Sequence, residues 1–236
     1  MDCVVAIDGP VAVGKSSVAR RVAAALGIRH INTGAMYRAV TWKMLDDGVD
    51  PADTDGVVHR LKTLRMELDF VSEESGPSAL RIRLDDQDPG RKIREAQVER
   101  AVSAVAAIPQ VRAWCVARQR ALASRGDLVM EGRDIGTVVF PETPYKFFLD
   151  ASPEVRAQRR AAERTAAGEN AAVAAVAKDM TERDRLDCSR KVAPLRVADD
   201  AIRLDTSRVN ARGVADLIIR HLRSRHARAA CCPEQK

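Results

Sequence analysis

Residues 7–17 read Ile7-Asp8-Gly9-Pro10-Val11-Ala12-Val13-Gly14-Lys15-Ser16-Ser17, and this stretch sets the topology of the chain around it. It matches the pattern G-x-x-x-x-G-K-[ST] at Gly9, Gly14, Lys15 and Ser16. Glycines at these places let backbone N–H groups approach a phosphate closely, so the pattern is typical of a phosphate-binding loop.

The residues on either side support this interpretation. The apolar run at residues 4–7 predicts a buried strand. From Lys15 onward the pattern becomes helical, with Val18, Val22 and Leu26 on one face and Gly27 as the predicted helix end. A helix N-terminus after a glycine loop attracts an anion, because its free N–H groups and its dipole both point there.

The motif therefore predicts binding of a nucleoside triphosphate. We expect Lys15 to reach the β- and γ-phosphates and the Ser16 hydroxyl to ligate Mg²⁺. The motif does not specify the group that receives the phosphate. The predicted ATP-binding residues are Gly9, Pro10, Val11, Ala12, Val13, Gly14, Lys15, Ser16 and Ser17.

Composition limits the possible classes of protein. The 236 residues carry a formal net charge of +6, and 31 of the 39 basic residues are Arg, a good partner for phosphate. Acidic residues are interspersed with the basic ones, which argues against a nucleic-acid-binding stripe. Five cysteines without C-x-x-C spacing, no leader pattern and no membrane-length apolar run predict a cytoplasmic protein that binds neither nucleic acid nor membrane. We expect a monomer.

Short strands alternate with helices along most of the chain. The strand candidates are residues 4–7, 28–32, 128–130, 145–149 and 201–205. This alternation predicts an α/β fold with a five-stranded parallel sheet and helices on both faces. Ligands of such sheets bind beyond the carboxyl ends of the strands.

One region breaks the alternation. Apolar side chains occupy every second position in residues 66–70 and again in residues 80–84, and Gly76-Pro77 lies between the two runs. An antiparallel hairpin with one buried face is the expected structure, because its period of two differs from that of a helix. We therefore assign residues 66–94 to an inserted small antiparallel β subdomain.

Several arginines fall at the predicted active edge. Phosphoryl transfer between two anions needs cations on both sides and exclusion of water. Arg38 and Arg133 are candidates for the acceptor side, and the helix of Arg156, Arg159 and Arg160 is a candidate lid on the donor side. For each arginine of that helix, a solvated surface position is the alternative. The predicted catalytic residues are Lys15, Arg38, Arg133 and Arg159.

Two further groups are ambiguous from pattern alone. Arg183, Asp187 and Arg190 share one helical face, for which a surface salt-bridge ladder is the favoured interpretation. Glu131 and Asp134 follow a buried strand, where an acid can assist Mg²⁺, recognise a base or simply cap a turn.

From about Val4 to Leu222, the sequence resembles the bacterial cytidylate (CMP) kinases. The segments that carry the resemblance are the phosphate loop, Thr33-Gly34-Ala35-Met36-Tyr37-Arg38, Ser103 to Arg112 with Pro109, Gly132 to Pro141, Phe148 to Ser152, and Glu182-Arg183-Asp184 with Asp187 and Arg190. The combination of the second and fourth segments is far more specific than the loop alone.

The resemblance implies transfer of the ATP γ-phosphate to CMP or dCMP. Carried over to this chain, Arg38, Arg133 and Arg190 are similar to a clamp on the acceptor phosphate. Ser103, Arg112 and Asp134 are similar to the residues that read cytosine. The implied CMP-binding set is Thr33, Tyr37, Arg38, Ser103, Arg112, Arg133, Asp134, Arg183, Asp187 and Arg190. For Arg183, Asp187 and Arg190, the resemblance therefore favours a role in CMP binding over a surface salt-bridge ladder.

The resemblance also implies a division of the chain. Residues 1–35 and 110–225 form the core, residues 36–109 the nucleoside-monophosphate-binding region, and residues 156–187 the lid region. We expect residues 226–236 to be a tail without regular structure. The chain departs from the family at Val11-Ala12-Val13, where smaller residues are usual, and at Glu131, where Asp is frequent, so the role of Glu131 stays open.

Two alternatives remain for the function. A kinase of another small metabolite, such as shikimate or dephospho-coenzyme A, would share the loop but not the paired arginines with Asp134. A P-loop regulatory or RNA-binding module would bind RNA in a strongly salt-dependent way without turnover.

Overall fold

The computed structural model describes residues 3–73, 76–166, 168–169 and 171–231. The strands are β1 Val4–Asp8, β2 Arg29–Asn32, β3 Met66–Glu73, β4 Gly76–Leu84, β5 Leu128–Gly132, β6 Tyr145–Asp150 and β7 Ile202–Asp205. The helices are α1 Lys15–Leu26, α2 Thr33–Asp46, α3 Thr54–Leu61, α4 Ala96–Ala107, α5 Pro109–Ala123, α6 Pro153–Ala166, α7 Val173–Ser189 and α8 Ala211–Cys231. Short 3₁₀ and π turns cover Gly90–Arg94 and Ile135–Val139.

The main sheet has five parallel strands in the order β2-β5-β1-β6-β7, which confirms the predicted fold class. Its register aligns Asp8 with Gly132 and Asn32 with Glu131. Three strands therefore end at the same level, and the side chains at these ends come from residues far apart in sequence.

Both faces of the sheet are covered, and the strand residues alternate between two apolar clusters. Val4 and Ala6 of β1 pack on the side of α2, α4 and α5, whereas Val5 and Ile7 pack on the side of α1 and α8. A strand that is buried on both faces is apolar throughout, which explains the unbroken run before the phosphate loop.

The insert forms the predicted antiparallel hairpin of β3 and β4, separate from the main sheet. Its buried side chains Leu68, Ile82 and Leu84 belong to the cluster that covers β1 and β5. The hairpin is thus part of the main core rather than a self-standing unit. Residues 74 and 75 at its predicted turn lie outside the described residues.

Helices α6 and α7 pack on each other over a small apolar cluster of Ala161, Val176 and Met180. Val11 and Ala12 at the tip of the phosphate loop pack against the same cluster. Val11 and Ala12, which depart from the family pattern, therefore pack the phosphate loop against the predicted lid helices α6 and α7. Within the described ranges, no helix combines the length and apolar character needed to cross a bilayer.

Asn32 caps α2, because its side chain accepts the Ala35 N–H at 3.0 Å. Two other helix ends differ from the sequence prediction. Helix α7 ends at Ser189, so Arg190 is its C-cap rather than a helical residue. The prediction of an irregular tail from residue 226 is wrong for residues 226–231, since α8 continues to Cys231; residues 232–236 lie outside the described residues.

Candidate active site

The phosphate loop depends on close backbone packing at Gly9. This residue has φ +149°, and a Cβ there would lie 2.1 Å from the Leu149 carbonyl oxygen. Gly14, with φ +89°, is the N-cap of α1 and directs the first N–H groups of that helix into the loop. Glycine is therefore required at both ends of the loop, for contact at Gly9 and for conformation at Gly14.

Lys15 is buried inside this loop. Its Nζ donates to the carbonyl oxygens of Gly9 at 2.8 Å and Pro10 at 2.5 Å. Burial, with a further contribution from the charge of Arg133, lowers the pKa of Lys15 well below its usual range. A cation held in this way gains strongly from an incoming anion, since a phosphate offers it a full opposite charge.

Ser16 lies at the centre of a polar group on the carboxyl ends of β2 and β5. Its Oγ donates to Glu131 Oε2 at 2.9 Å and accepts from Asn32 Nδ2 at 3.3 Å. His30 Nε2 lies 3.0 Å from the other carboxylate oxygen of Glu131. A hydroxyl beside a buried carboxylate is an oxygen-ligand environment that suits Mg²⁺, so these residues fit the predicted metal.

Asp8 supports the site from within β1, a role that the sequence reasoning missed. Its carboxylate accepts the backbone N–H groups of Ile135 at 2.9 Å and Gly136 at 2.8 Å, and so fixes the turn that follows β5. Burial raises the pKa of Asp8 to about 6, although these two hydrogen bonds act in the opposite direction. The sequence did contain a signal for this role, since Asp8 is an ionisable residue at the end of an otherwise apolar strand.

Arg112 and Asp134 form a buried ion pair, with Arg112 Nη2 donating to Asp134 Oδ2. Arg112 also donates through Nη1 to the Ala106 carbonyl at 3.2 Å and lies over the Tyr37 ring, 5.3 Å from its centre. Among the described residues, Arg112 Nε is buried without a hydrogen-bond partner. Tyr37, Arg112 and Asp134 of the implied CMP-binding set thus lie together, and Arg112 Nε is a donor that a ligand could use.

Asp187 joins two arginines of the predicted phosphate clamp. Arg133 Nε donates to one Asp187 oxygen at 2.9 Å, and Arg190 Nη1 lies 3.6 Å from the other. Burial tends to raise the pKa of Asp187, but the charges of Arg133 and Arg190 lower it overall. In the described part of the chain Arg190 Nη2 is buried without a partner, so it is a donor that a ligand could use.

Glu99 of α4 is the second residue that the sequence reasoning missed. It accepts from Arg38 of α2, Arg160 of α6 and Arg183 of α7. The sequence did contain one signal for this role. Glu99 lies four residues, about one helical turn, before the predicted site residue Ser103 and therefore on the same face of the helix.

The arginines of α6 separate into two groups. Arg159 donates to the Thr206 hydroxyl at 3.0 Å and to its carbonyl at 2.6 Å, and Thr206 Oγ1 in turn donates to Val13 of the phosphate loop at 3.0 Å. Arg156 contacts the Val11 carbonyl at 3.4 Å and pairs with Asp184. Both therefore lie at the phosphate loop, whereas Arg160 reaches Glu99 on the opposite side.

Among the described residues, Thr33 and Ser103 make no hydrogen bond to the arginines of these groups. The Thr33 hydroxyl donates to the Glu131 carbonyl at 2.8 Å and is almost fully buried. Ser103 is half-buried on α4. Their predicted contacts with the nucleotide stay predictions.

A parallel sheet with a phosphate loop after its first strand, helices on both faces and a group of arginines beyond the carboxyl ends of its strands defines a P-loop phosphotransferase of the nucleoside-monophosphate-kinase type. A solved structure of an uncharacterized protein from Eubacterium ventriosum shares the fold, with a TM-score of 0.51 over 95% of this chain and 99% of that one at 12% identity.

Sequence comparison identifies the family. The sequence model described as cytidylate kinase matches residues 5–224. A cytidylate kinase of Mycobacterium avium is 47% identical over 223 residues, which is 94% of each chain, and one of Rhodococcus opacus is 47% identical over 220 residues, or 93% of each. The chain belongs to the cytidylate kinase family.

Proposed function

We propose that this chain transfers the γ-phosphate of ATP to CMP or dCMP, giving CDP or dCDP and ADP. The observation that carries the proposal is the convergence of Arg112, Asp134, Asp187 and Arg190 beside a complete phosphate loop. Relatives at 47% identity over nearly the whole chain bear the name cytidylate kinase. We further infer that it acts as a monomer in the cytoplasm, where the free thiols of Cys3, Cys115 and Cys188 would stay reduced.

On the donor side, the loop N–H groups and Lys15 would bind the β- and γ-phosphates. Ser16 would hold Mg²⁺ directly, and Glu131 would orient the Ser16 hydroxyl through their hydrogen bond. When bound, Mg²⁺ neutralises charge on the phosphate oxygens. Arg156 and Arg159 would contribute positive charge from the lid, since both already contact the loop or its partner Thr206.

On the acceptor side, the main task is to bring a second anion into contact with the first. An oxygen of the CMP phosphate attacks the γ-phosphorus, and the bond to the bridging oxygen breaks, leaving the electron pair on ADP. Arg38, Arg133 and Arg190 would bind the acceptor phosphate and offset the repulsion between the nucleotides. Packing of α6 and α7 over the loop would exclude water, which would otherwise take the phosphoryl group.

Base selection would rest on the Arg112–Asp134 pair. Cytosine presents an amino donor beside the acceptors N3 and O2. Asp134 can accept from the amino group, while Arg112 Nε and the Ser103 hydroxyl can donate to the acceptors. Uracil would place a carbonyl oxygen against the Asp134 carboxylate, so that two acceptors would face each other, and a buried site discriminates strongly against this.

A coupled ADP-release assay with CMP, dCMP, UMP and AMP tests the proposal. We expect CMP and dCMP to exceed UMP and AMP by about 100-fold or more in kcat/KM, because the mismatched base leaves buried polar groups unpaired. The rate of the Lys15→Ala variant gives the background that is due to contaminating kinases. Comparable rates with AMP and none with CMP would contradict the assignment.

A further inference from the structure

Glu99 connects three parts of the molecule. Its Oε1 accepts from Arg38 Nε at 2.9 Å, and its Oε2 accepts from Arg160 Nη2 at 3.0 Å and from Arg183 Nη1 at 3.2 Å. Arg38 belongs to the predicted nucleoside-monophosphate-binding region, whereas Arg160 and Arg183 belong to the two lid helices. A single carboxylate therefore joins both lid helices to the predicted acceptor region.

The net charge of Glu99 and its arginine partners favours a role in binding an anion over simple ion pairing at the surface. Burial tends to raise the pKa of Glu99, but the charges of Arg38, Arg183 and Arg160 lower it to about 2. Glu99 is thus ionised at any physiological pH. Arg160 also donates through Nη1 to Glu163 at 3.2 Å. The group thus sets two carboxylates against three guanidinium groups, and the remaining positive charge is available to an incoming phosphate.

The geometry of the contacts also leaves donors unused. Arg38 meets Glu99 through Nε, so this contact does not occupy either of its terminal nitrogens. Arg183 meets Glu99 through Nη1, and its Nε is buried without a hydrogen-bond partner among the residues that the structure describes. Guanidinium groups anchored in this way keep donors for bidentate binding of phosphate oxygens.

We propose that Glu99 is a positioning residue of the phosphoryl-transfer reaction. It holds the guanidinium groups of Arg38, Arg160 and Arg183 at the junction between acceptor region and lid, and it acts through them without touching the substrate. The inference rests on the proposed function only in that the reaction is phosphoryl transfer between two nucleotides.

The test uses Glu99→Gln in the full-length chain, with wild-type turnover of the preferred nucleotide as reference. We expect kcat to fall about 10-fold and KM for CMP to rise several-fold, because misplaced charges lose transition-state stabilisation. The CMP-to-UMP preference should stay unchanged, since Arg112 and Asp134 are intact. Glu99→Asp, which keeps the charge, should recover part of the loss.

Glu95→Gln is the matched control. Glu95 is the N-cap of α4, four residues before Glu99; it is exposed, and its side chain accepts from Gln97. We expect wild-type kinetics from this variant. A double-mutant cycle adds a second readout: if Arg160 acts through Glu99, Arg160→Gln should lower kcat several-fold in the wild type but less than twofold in the Glu99→Gln background.

Three results would overturn the proposal. Unchanged kinetics in Glu99→Gln would mean that the contacts are a surface ion cluster only. A lower KM for CMP with unchanged kcat would mean that Glu99 competes with the substrate phosphate for the arginines. If Glu99→Gln does not fold, full activity of Glu99→Asp, whose shorter side chain cannot reach all three arginines, would be the contrary outcome. Absence of turnover in the wild type would instead contradict the proposed function.

Discussion

The proposed donor end is built on one continuous stretch, residues 7–17, whose glycines let backbone N–H groups approach a phosphate, with Arg156 and Arg159 added from the lid. The proposed acceptor end comes from five separate segments, and its groups are side chains held by ion pairs such as Arg112–Asp134 and Arg133–Asp187. The first is fixed by local conformation, and the second exists only when the whole fold is formed.

This difference predicts different responses to substitution. A change in the loop should abolish chemistry without disturbing the distant pairs. A change among the acceptor residues should instead alter affinity, base choice or stability, because each carboxylate there also neutralises buried arginines.

Removal of the donor-side cation should have the largest effect. Lys15→Ala is expected to lower kcat by about 1,000-fold or more, since a buried charge aimed at the transferred phosphate is lost. The fold should persist, because the hydrogen bonds of Lys15 to described residues go to the loop carbonyls of Gly9 and Pro10. Steady-state kinetics and thermal unfolding check this, with exposed Lys62→Ala as control. Retention of more than a few per cent of the rate would refute the assigned role.

Disruption of the buried acceptor pair should affect both specificity and stability. Asp134→Ala is expected to lower kcat/KM for CMP by about 100-fold while UMP changes little, so base choice relaxes. The unpaired Arg112 should also cost about 3–5 kcal/mol of unfolding free energy. The nucleotide panel and urea unfolding measure the two effects. Asp134→Asn, which keeps the shape, separates lost charge from lost volume, and an unaltered CMP-to-UMP ratio in both variants would exclude a role in base reading.

Acid should weaken the acceptor end through Glu99. Its pKa in the folded protein is about 2, below the ordinary value of 4.5, so its stabilising contribution is present above pH 4.5 and lost as pH falls towards 2. A shift of this size corresponds to about 3 kcal/mol of unfolding free energy. Urea unfolding of wild type and Glu99→Gln across this range should show the extra loss in the wild type alone. Parallel curves would argue against strong pairing.

The smallest kinetic effect is expected at a single clamp arginine. Arg38→Ala should raise KM for CMP by about 10-fold and leave KM for ATP unchanged, since one of several cations on the acceptor phosphate is removed. Initial-rate measurements with each substrate varied in turn distinguish the two. An equal rise in KM for ATP would place Arg38 on the donor side instead.

Sequence reasoning predicted the features that local pattern encodes. The five parallel strands and the hairpin follow from periodicity, and they were confirmed. Gly27 closes α1 as expected, with φ +67°. These features depend on neighbours in sequence, which is why they can be predicted without a structure.

Sequence reasoning did not find the residues whose partners lie far along the chain. Asp8 acts on the backbone of Ile135 and Gly136, and Glu99 acts on arginines of three other helices. Two adjacent arginines illustrate the same limit of sequence reasoning. Arg159 contacts Thr206 beside the phosphate loop and Arg160 contacts Glu99, but the helical pattern alone does not distinguish them. The choice of Arg159 as a catalytic residue stays a prediction.

A crystal structure with CMP bound tests the assembled acceptor end. The account predicts the cytosine amino group beside the Asp134 carboxylate, the phosphate among the guanidinium groups of Arg38, Arg133 and Arg190, and Glu99 still holding Arg160 and Arg183 behind it. A base bound away from Asp134, with the phosphate outside these arginines, would contradict it.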